Sequence, residues 1–195
     1  MSRRLPLSLL IMSVCLLLSA CASSVSPPAR YMLPASPAVS TQSNAQATLQ
    51  VRAPRLAHYL DVDGIVMQLD DITLNEAREH QWAEGLGRQL ERALRAGLAA
   101  QLPNVQVVRA EGNNPDALTL SMEIDQFQGR YDGVAVASGQ WQLRGADGEM
   151  LAIKRFTAET TLEQDGYPAL VRSLGASWED VAAQIVQQLR LGGYF

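Results

Sequence analysis

Two residues of this chain could carry thiol chemistry, Cys15 and Cys21, and their surroundings differ. Cys21 follows Leu18-Ser19-Ala20. Upstream lie Arg3 and Arg4, then an uncharged and mostly apolar run from Leu5 to Leu18. A basic start, a short apolar stretch and small residues before a cut describe a secretory signal. The run falls short of the ~20 residues that a membrane-spanning helix needs. Leu-Ser-Ala-Cys has the form of a bacterial lipobox, with cleavage between Ala20 and Cys21 and acylation of the new N-terminal cysteine. That gives Cys21 a covalent S-diacylglycerol and an N-acyl chain, and no other cofactor is expected. The bland alternative is an ordinary signal peptide that happens to end at a cysteine.

The other candidate chemistries are thin. His58 and His80 lack the HExxH or HxH spacing of a metal site, so no metal is expected and a structural or exposed role suits both. No Gly-x-Ser-x-Gly elbow occurs, and Ser173 and Ser177 fall on a predicted helix. Asp70-Asp71 reads as a solvated turn. Gly85-Leu86-Gly87 has neither the glycine spacing nor the lysine of a phosphate loop, and its glycines suggest close approach to a neighbouring element. The one compact polar cluster is Arg130-Tyr131-Asp132 between Gly129 and Gly133. A turn needs Gly and Asp for backbone reasons alone, so turn and site both stay open. No catalytic residue is assigned, and an enzyme is not expected.

Composition sets the frame for these residues. The chain has 195 residues, 47% hydrophobic and 18% charged, which is ordinary for a globular protein. Without residues 1–20, which hold Arg3 and Arg4, the net charge moves from −4 to −6. That is not the basic footprint of a nucleic-acid binder. It predicts no electrostatic membrane docking either, so two or three acyl chains must do the holding. Once Cys15 leaves with the signal and Cys21 is lipidated, no free thiol remains, as suits an oxidising compartment.

The expected domains are a signal peptide at 1–20, a lipidated N-terminus and tether at 21–47, and a globular domain at 48–195. Within the tether, Tyr31-Met32-Leu33 is a short edge strand, since Pro34 bars a central one. Tyr31 packs there or offers an aromatic to a partner. Leu49–Arg52 and Ile65–Leu69 read as strands. Trp82, Leu86, Leu90, Leu94 and Leu98 recur every four residues, which predicts an amphipathic helix from about Gln81 to Gln101, closed by Pro103. Val105–Val108 is a short strand. Leu118, Leu120, Met122 and Ile124 alternate with polar residues, the mark of a strand buried on one face. With Val134–Leu143 and Met150–Leu162 it makes a three-strand antiparallel meander. Leu170, Val171, Leu174, Trp178, Val181, Ile185 and Leu189 line one side of a final helix that Gly192-Gly193 stops. The fold class is α+β: a mostly antiparallel sheet with both amphipathic helices on one face and the other face open.

Phe127-Gln128-Gly129-Arg130-Tyr131-Asp132-Gly133, followed by Ser138-Gly139-Gln140-Trp141, resembles the PqiC (YmbA) family of ABC-type transport auxiliary lipoproteins. Tyr31–Pro34, Gly64–Gln68, Leu94 through Pro103, Gln164–Tyr167 and Trp178 match in the same order. The resemblance implies an outer-membrane lipoprotein facing the periplasm. Its partners would be an MCE-domain tunnel protein and an inner-membrane component, moving phospholipid or other hydrophobic cargo between membranes. Ala22, in place of an aspartate that favours inner-membrane retention, agrees with that sorting. The family likeness carries over no catalytic residue. It adds the expectation of a docking or gating role, in a homo-oligomer of several copies, with Tyr31, Arg130, Tyr131 and Asp132 on the partner or self-association surface. Two other readings stand beside it: a stand-alone lipid carrier with an apolar cavity, and an assembly lipoprotein of another envelope machine such as lipopolysaccharide export.

Overall fold

A computed structural model describes residues 26–34, 45–111 and 116–195. The signal peptide, the Ala20–Cys21 cleavage site, the lipidated Cys21 and most of the 35–47 linker lie outside the described residues.

Nine strands and two long helices follow in the order β1 (Ala29–Tyr31), β2 (Ala47–Val51), β3 (Arg55–Leu56), β4 (Gly64–Gln68), β5 (Leu74–Trp82), α1 (Leu86–Gln101), β6 (Val105–Arg109), β7 (Leu118–Arg130), β8 (Val134–Arg144), β9 (Met150–Thr161) and α2 (Tyr167–Leu191). All nine strands join one sheet. The β7–β8–β9 meander is present, and its two antiparallel ladders are the longest in the molecule.

The sheet as a whole is mixed, which corrects the expectation of a mostly antiparallel one. Five of its eight pairings are parallel: β1 with β5, β2 with β6 and β7, β3 with β7, and β4 with β7. The reason is topological. Hairpins join strands adjacent in sequence and announce themselves by turn residues. Parallel pairs need a crossover from distant chain, and nothing in β2 or β4 marks β7 as its neighbour.

Helix α1 begins at Leu86, not near Gln81, and residues 74–82 are a strand. Trp82 ends β5 and is still buried, so its four-residue spacing from Leu86 crosses an element boundary. Most of β5 is exposed and polar, with no apolar alternation to betray it.

A bulge in β7 sets which residues face the helices. The β7–β8 register shifts between Ile124 and Gln126. Unbroken alternation would turn Phe127 outward; the extra residue returns it to the inner side, where it is 1% exposed. The opposing residue must be small, since a Cβ on Gly139 would lie 2.1 Å from the Glu123 carbonyl oxygen. Inside, Trp82, Phe127, Phe156 and Trp178 form a chain of ring contacts with centroids 5.9–6.2 Å apart. Trp178 Nε1 donates to the Leu90 carbonyl at 3.0 Å and ties α2 to α1. The close approach expected at Gly85 and Gly87 occurs instead at Gly97, where a Cβ would sit 3.1 Å from Ala182 Cβ.

The outer face of the meander is largely wet, with Asp125, Arg155, Thr157 and Glu159 exposed, but Gln128, Val136 and Ser138 on it are buried.

Candidate functional site

The N-terminal arm is part of the folded body. β1 adds a parallel edge to β5, with Ala29 opposite His80 and Tyr31 opposite Trp82. Beyond it Leu33 is buried, and its amide donates to Gln89 Oε1 at 2.8 Å. Gln89 Nε2 donates to the Glu84 carbonyl at 3.0 Å, so this buried amide is held at both ends. Pro34 lies so close to α2 that a Cβ on Gly175 would meet its Cδ at 2.7 Å.

Tyr31 serves this arm. Its hydroxyl lies 2.9 Å from His80 Nδ1, and the His80 ring stacks on Tyr167 at 4.0 Å and 17°. Burial, with the neighbouring Tyr31 second, pushes the Tyr167 phenol above its usual pKa. Tyr31 and the Arg130 cluster are not brought together. In the strand order β1-β5-β4-β7 they stand three strand spacings apart across the sheet, about 14 Å, and at opposite ends of β4 along it.

Arg130 ends β7, and residues 131–133 make the turn, closed by the Gly133 amide on the Arg130 carbonyl, with Gly133 at φ 79°. A positive φ of that kind favours glycine. Arg130 Nε lies 2.8 and 3.0 Å from the two carboxylate oxygens of Asp132, and Nη1 donates to Glu159 Oε1 at 2.8 Å. Asp132 and then Glu159 make the guanidinium still harder to deprotonate, and the Arg130 hydrogen bond holds the Asp132 carboxyl below its ordinary range. The three charges satisfy one another and brace the hairpin across β7 and β9. Tyr131 between them is left 59% exposed.

Sequence reasoning passed over a second polar cluster, on the outer face beside the bulge. The Tyr59 hydroxyl lies 2.7 Å from both the Asp125 carbonyl and Gln128 Oε1, and can donate to one at a time. Gln128 Nε2 reaches Gln68 Oε1 at 3.4 Å, and Ser138 Oγ donates to Gln126 Oε1 at 2.8 Å. Burial first, then the Asp125 charge, pushes the Tyr59 phenol up to about 12. The signal that could have found this cluster is Gln128 itself, an amide between Phe127 and the expected turn that begins at Gly129. Amides and a protonated phenol make a hydrogen-bonding brace, with no nucleophile and base in reach of each other.

Among the described residues no group of three or more His, Cys, Asp or Glu could hold a metal ion, and no helix is long and apolar enough to cross a membrane.

Comparison with known proteins agrees with this architecture. A relative in Escherichia coli K12, the intermembrane transport lipoprotein PqiC, is 34% identical over 184 residues, 93% of this chain and 96% of its own. The protein of the same name in Shigella flexneri matches equally. A crystal structure of an uncharacterised protein, 30% identical, superposes with a TM-score of 0.74 over 84% of this chain and 99% of its own. A Xanthomonas campestris protein shares the fold alone, at 18% identity and a TM-score of 0.64 over 87% of this chain and 96% of its own. The model of the ABC-type transport auxiliary lipoprotein component matches residues 31–186, from Tyr31 through the braced hairpin into α2. This chain belongs to the PqiC family of ABC-type transport auxiliary lipoproteins.

Proposed function

We propose that this protein is an outer-membrane lipoprotein of an MCE-type intermembrane transport system, anchored through diacylated and N-acylated Cys21 and facing the periplasm. It docks or gates a periplasmic tunnel that carries phospholipid or other hydrophobic cargo, and it works beside an inner-membrane partner as one of several copies. In this reading it performs no chemistry and holds no cofactor beyond the lipid on Cys21. The names of the relatives in E. coli and S. flexneri supply the transport role. Ala22 after Cys21 supports the outer-membrane sorting. Of the four residues expected on the partner surface, Tyr131 and Asp132 are exposed, Arg130 braces their turn, and Tyr31 fixes the arm.

One observation favours docking over a stand-alone lipid carrier. A carrier needs an apolar cavity between helices and sheet. Here Trp82, Phe127, Phe156 and Trp178 fill that layer ring against ring. The cleft between α1, α2 and the arm measures ≈ 10 Å³, about the room that one water needs. The larger hollow of ≈ 530 Å³ between α2 and the end of β9 is lined largely by polar and charged side chains, among them Thr160, Glu163, Gln164 and Arg172. Lipid analysis of the purified, acylated full chain tests this. The docking reading expects only the lipid covalently bound to Cys21. Stoichiometric phospholipid extracted without breaking a covalent bond would favour the carrier.

A further inference from the structure

Apart from Met32 on the arm and Ile153 within β9, the large apolar residues left exposed gather at the two ends of the sheet, and the direction of β1 tells which end lies nearer the anchor. Met150, Leu191 and Phe195 sit at one end. At the other, Leu69 (54% exposed), Ile72 (87%) and Leu74 (42%) form the β4–β5 hairpin, and Tyr131 (59%) tips the β7–β8 turn. These belong together. β4 and β7 are parallel with Met67 opposite Gly129, so Leu69 and Tyr131 each lie two residues further along adjacent strands.

β1 runs parallel to β5, so the chain enters it from the end where β5 begins, which is the hairpin end. Ala29 is opposite His80, next to the Gly64–Gln81 pair, while Leu74 is opposite Gln68. From Gly64 to Gln68 is four residues of β4, or ~13 Å. From Cys21 to Ala29 the chain can span ~26–29 Å. Fully extended, the tether outreaches the Leu74 level by only ~15 Å, which the hairpin tip and a lipid headgroup layer together take up.

We propose that this hairpin end is a membrane-contact site: Ile72, Leu69, Leu74 and Tyr131 enter the headgroup region of the bilayer that holds the acyl chains of Cys21. The proposal rests on the lipid anchor of the reading above and goes beyond it by fixing which end of the domain meets the membrane. Charge selects the lipid. Residues 69–74, 130–133 and 162–167 include Asp70, Asp71, Asp132, Glu163 and Asp165 but no lysine, and their one arginine, Arg130, is paired with Asp132. Asp70 is spent on the turn, accepting from the Ile72 and Thr73 amides at 2.9 and 2.7 Å. An acidic rim around an apolar tip fits a zwitterionic surface, whose ammonium groups face outward, better than an anionic one.

The mature chain has no thiol once Cys21 is acylated, so Ile72→Cys offers a single labelling position and Leu191→Cys, at the far end of α2, a control. Each acylated full-length variant would carry an environment-sensitive fluorophore in vesicles of phosphatidylethanolamine and phosphatidylcholine, with and without spin-labelled acyl chains. The expected result is a blue-shifted label at position 72 that loses most of its emission to the spin-labelled lipid, and an unquenched label at 191. A label at 72 that behaves like the one at 191 overturns the proposal. So does one that is blue-shifted but unquenched, which would place a second copy or a protein partner on the tip. Protein that fails to float with the vesicles refutes the anchor, and the proposal with it; protein that floats with its tip in water refutes the proposal alone.

Discussion

The Leu33 amide donates its hydrogen bond to Oε1 of Gln89 at 2.8 Å, across 56 residues of sequence and inside the core. That bond joins the N-terminal arm to the buried face of α1. Gln89→Leu keeps the volume and removes the acceptor, leaving a buried N–H without a partner, at a cost of about 1–3 kcal/mol. Thermal unfolding should show a lower Tm, and hydrogen exchange at Leu33 should quicken more than exchange within α2. An unchanged Leu33 amide would show that the arm is held elsewhere.

The same arm is tested from its other side by two helical glycines. A Cβ at Gly175 would lie 2.7 Å from Pro34 Cδ, a ring atom that cannot rotate away, whereas at Gly97 it would lie 3.1 Å from Ala182 Cβ. Alanine gains about 1 kcal/mol of helix propensity at either position, and overpacking costs about 1–3 kcal/mol. Gly175→Ala should therefore be the less stable of the two by chemical denaturation, with Gly97→Ala close to neutral. The reverse order would mean that the arm shifts freely.

Trp178 reports whether the layer between helices and sheet is filled. It is 2% exposed, touches Phe127 and Phe156 ring to ring, and donates to Leu90. Trp178→Ala should cost about 3–5 kcal/mol, as in a close-packed core. Trp178→Phe should cost much less, because the Leu90 carbonyl sits within α1 and keeps its helical partner. A domain hollowed to receive an acyl chain would tolerate the alanine with little loss.

Tyr59 gives the alkaline prediction. Its phenol has a folded-state pKa of about 12, above the ordinary 10.0, so the protonated form is the one favoured by folding. Its contribution to stability is complete below about pH 10 and is lost as pH rises through about 12. Ultraviolet titration of the tyrosines should show a late component that Tyr59→Phe diminishes, leaving the smaller upward shift of Tyr167. A wild-type titration curve with no late component would contradict the brace on the β7 bulge.

Much of the fold was legible because it rests on local pattern. The leucines of α1 repeat every four residues, and Leu118 to Ile124 alternate, so both elements announce their buried side. What local pattern cannot carry is the pairing of distant strands. β4 and β2 hold no mark of β7, and β5 reads as polar because it lies toward the sheet edge. The bulge at Asp125 was hidden for a related reason: it shows only as the mismatch of Phe127 with the preceding alternation. Of the predicted surface, Arg130, Tyr131 and Asp132 lie together because they share one turn. Tyr31 is separated from them by two intervening strands that the sequence did not order.

The most direct test of the transport reading is capture from native envelopes. The full chain, with Cys21 intact and a C-terminal tag, would be purified in mild detergent and its associated proteins identified by mass spectrometry. An MCE-domain protein and its inner-membrane component in the eluate, absent when Cys21→Ser leaves the chain unanchored, is the predicted result. Capture of a different envelope machine, such as lipopolysaccharide export components, with no MCE-domain protein would contradict it.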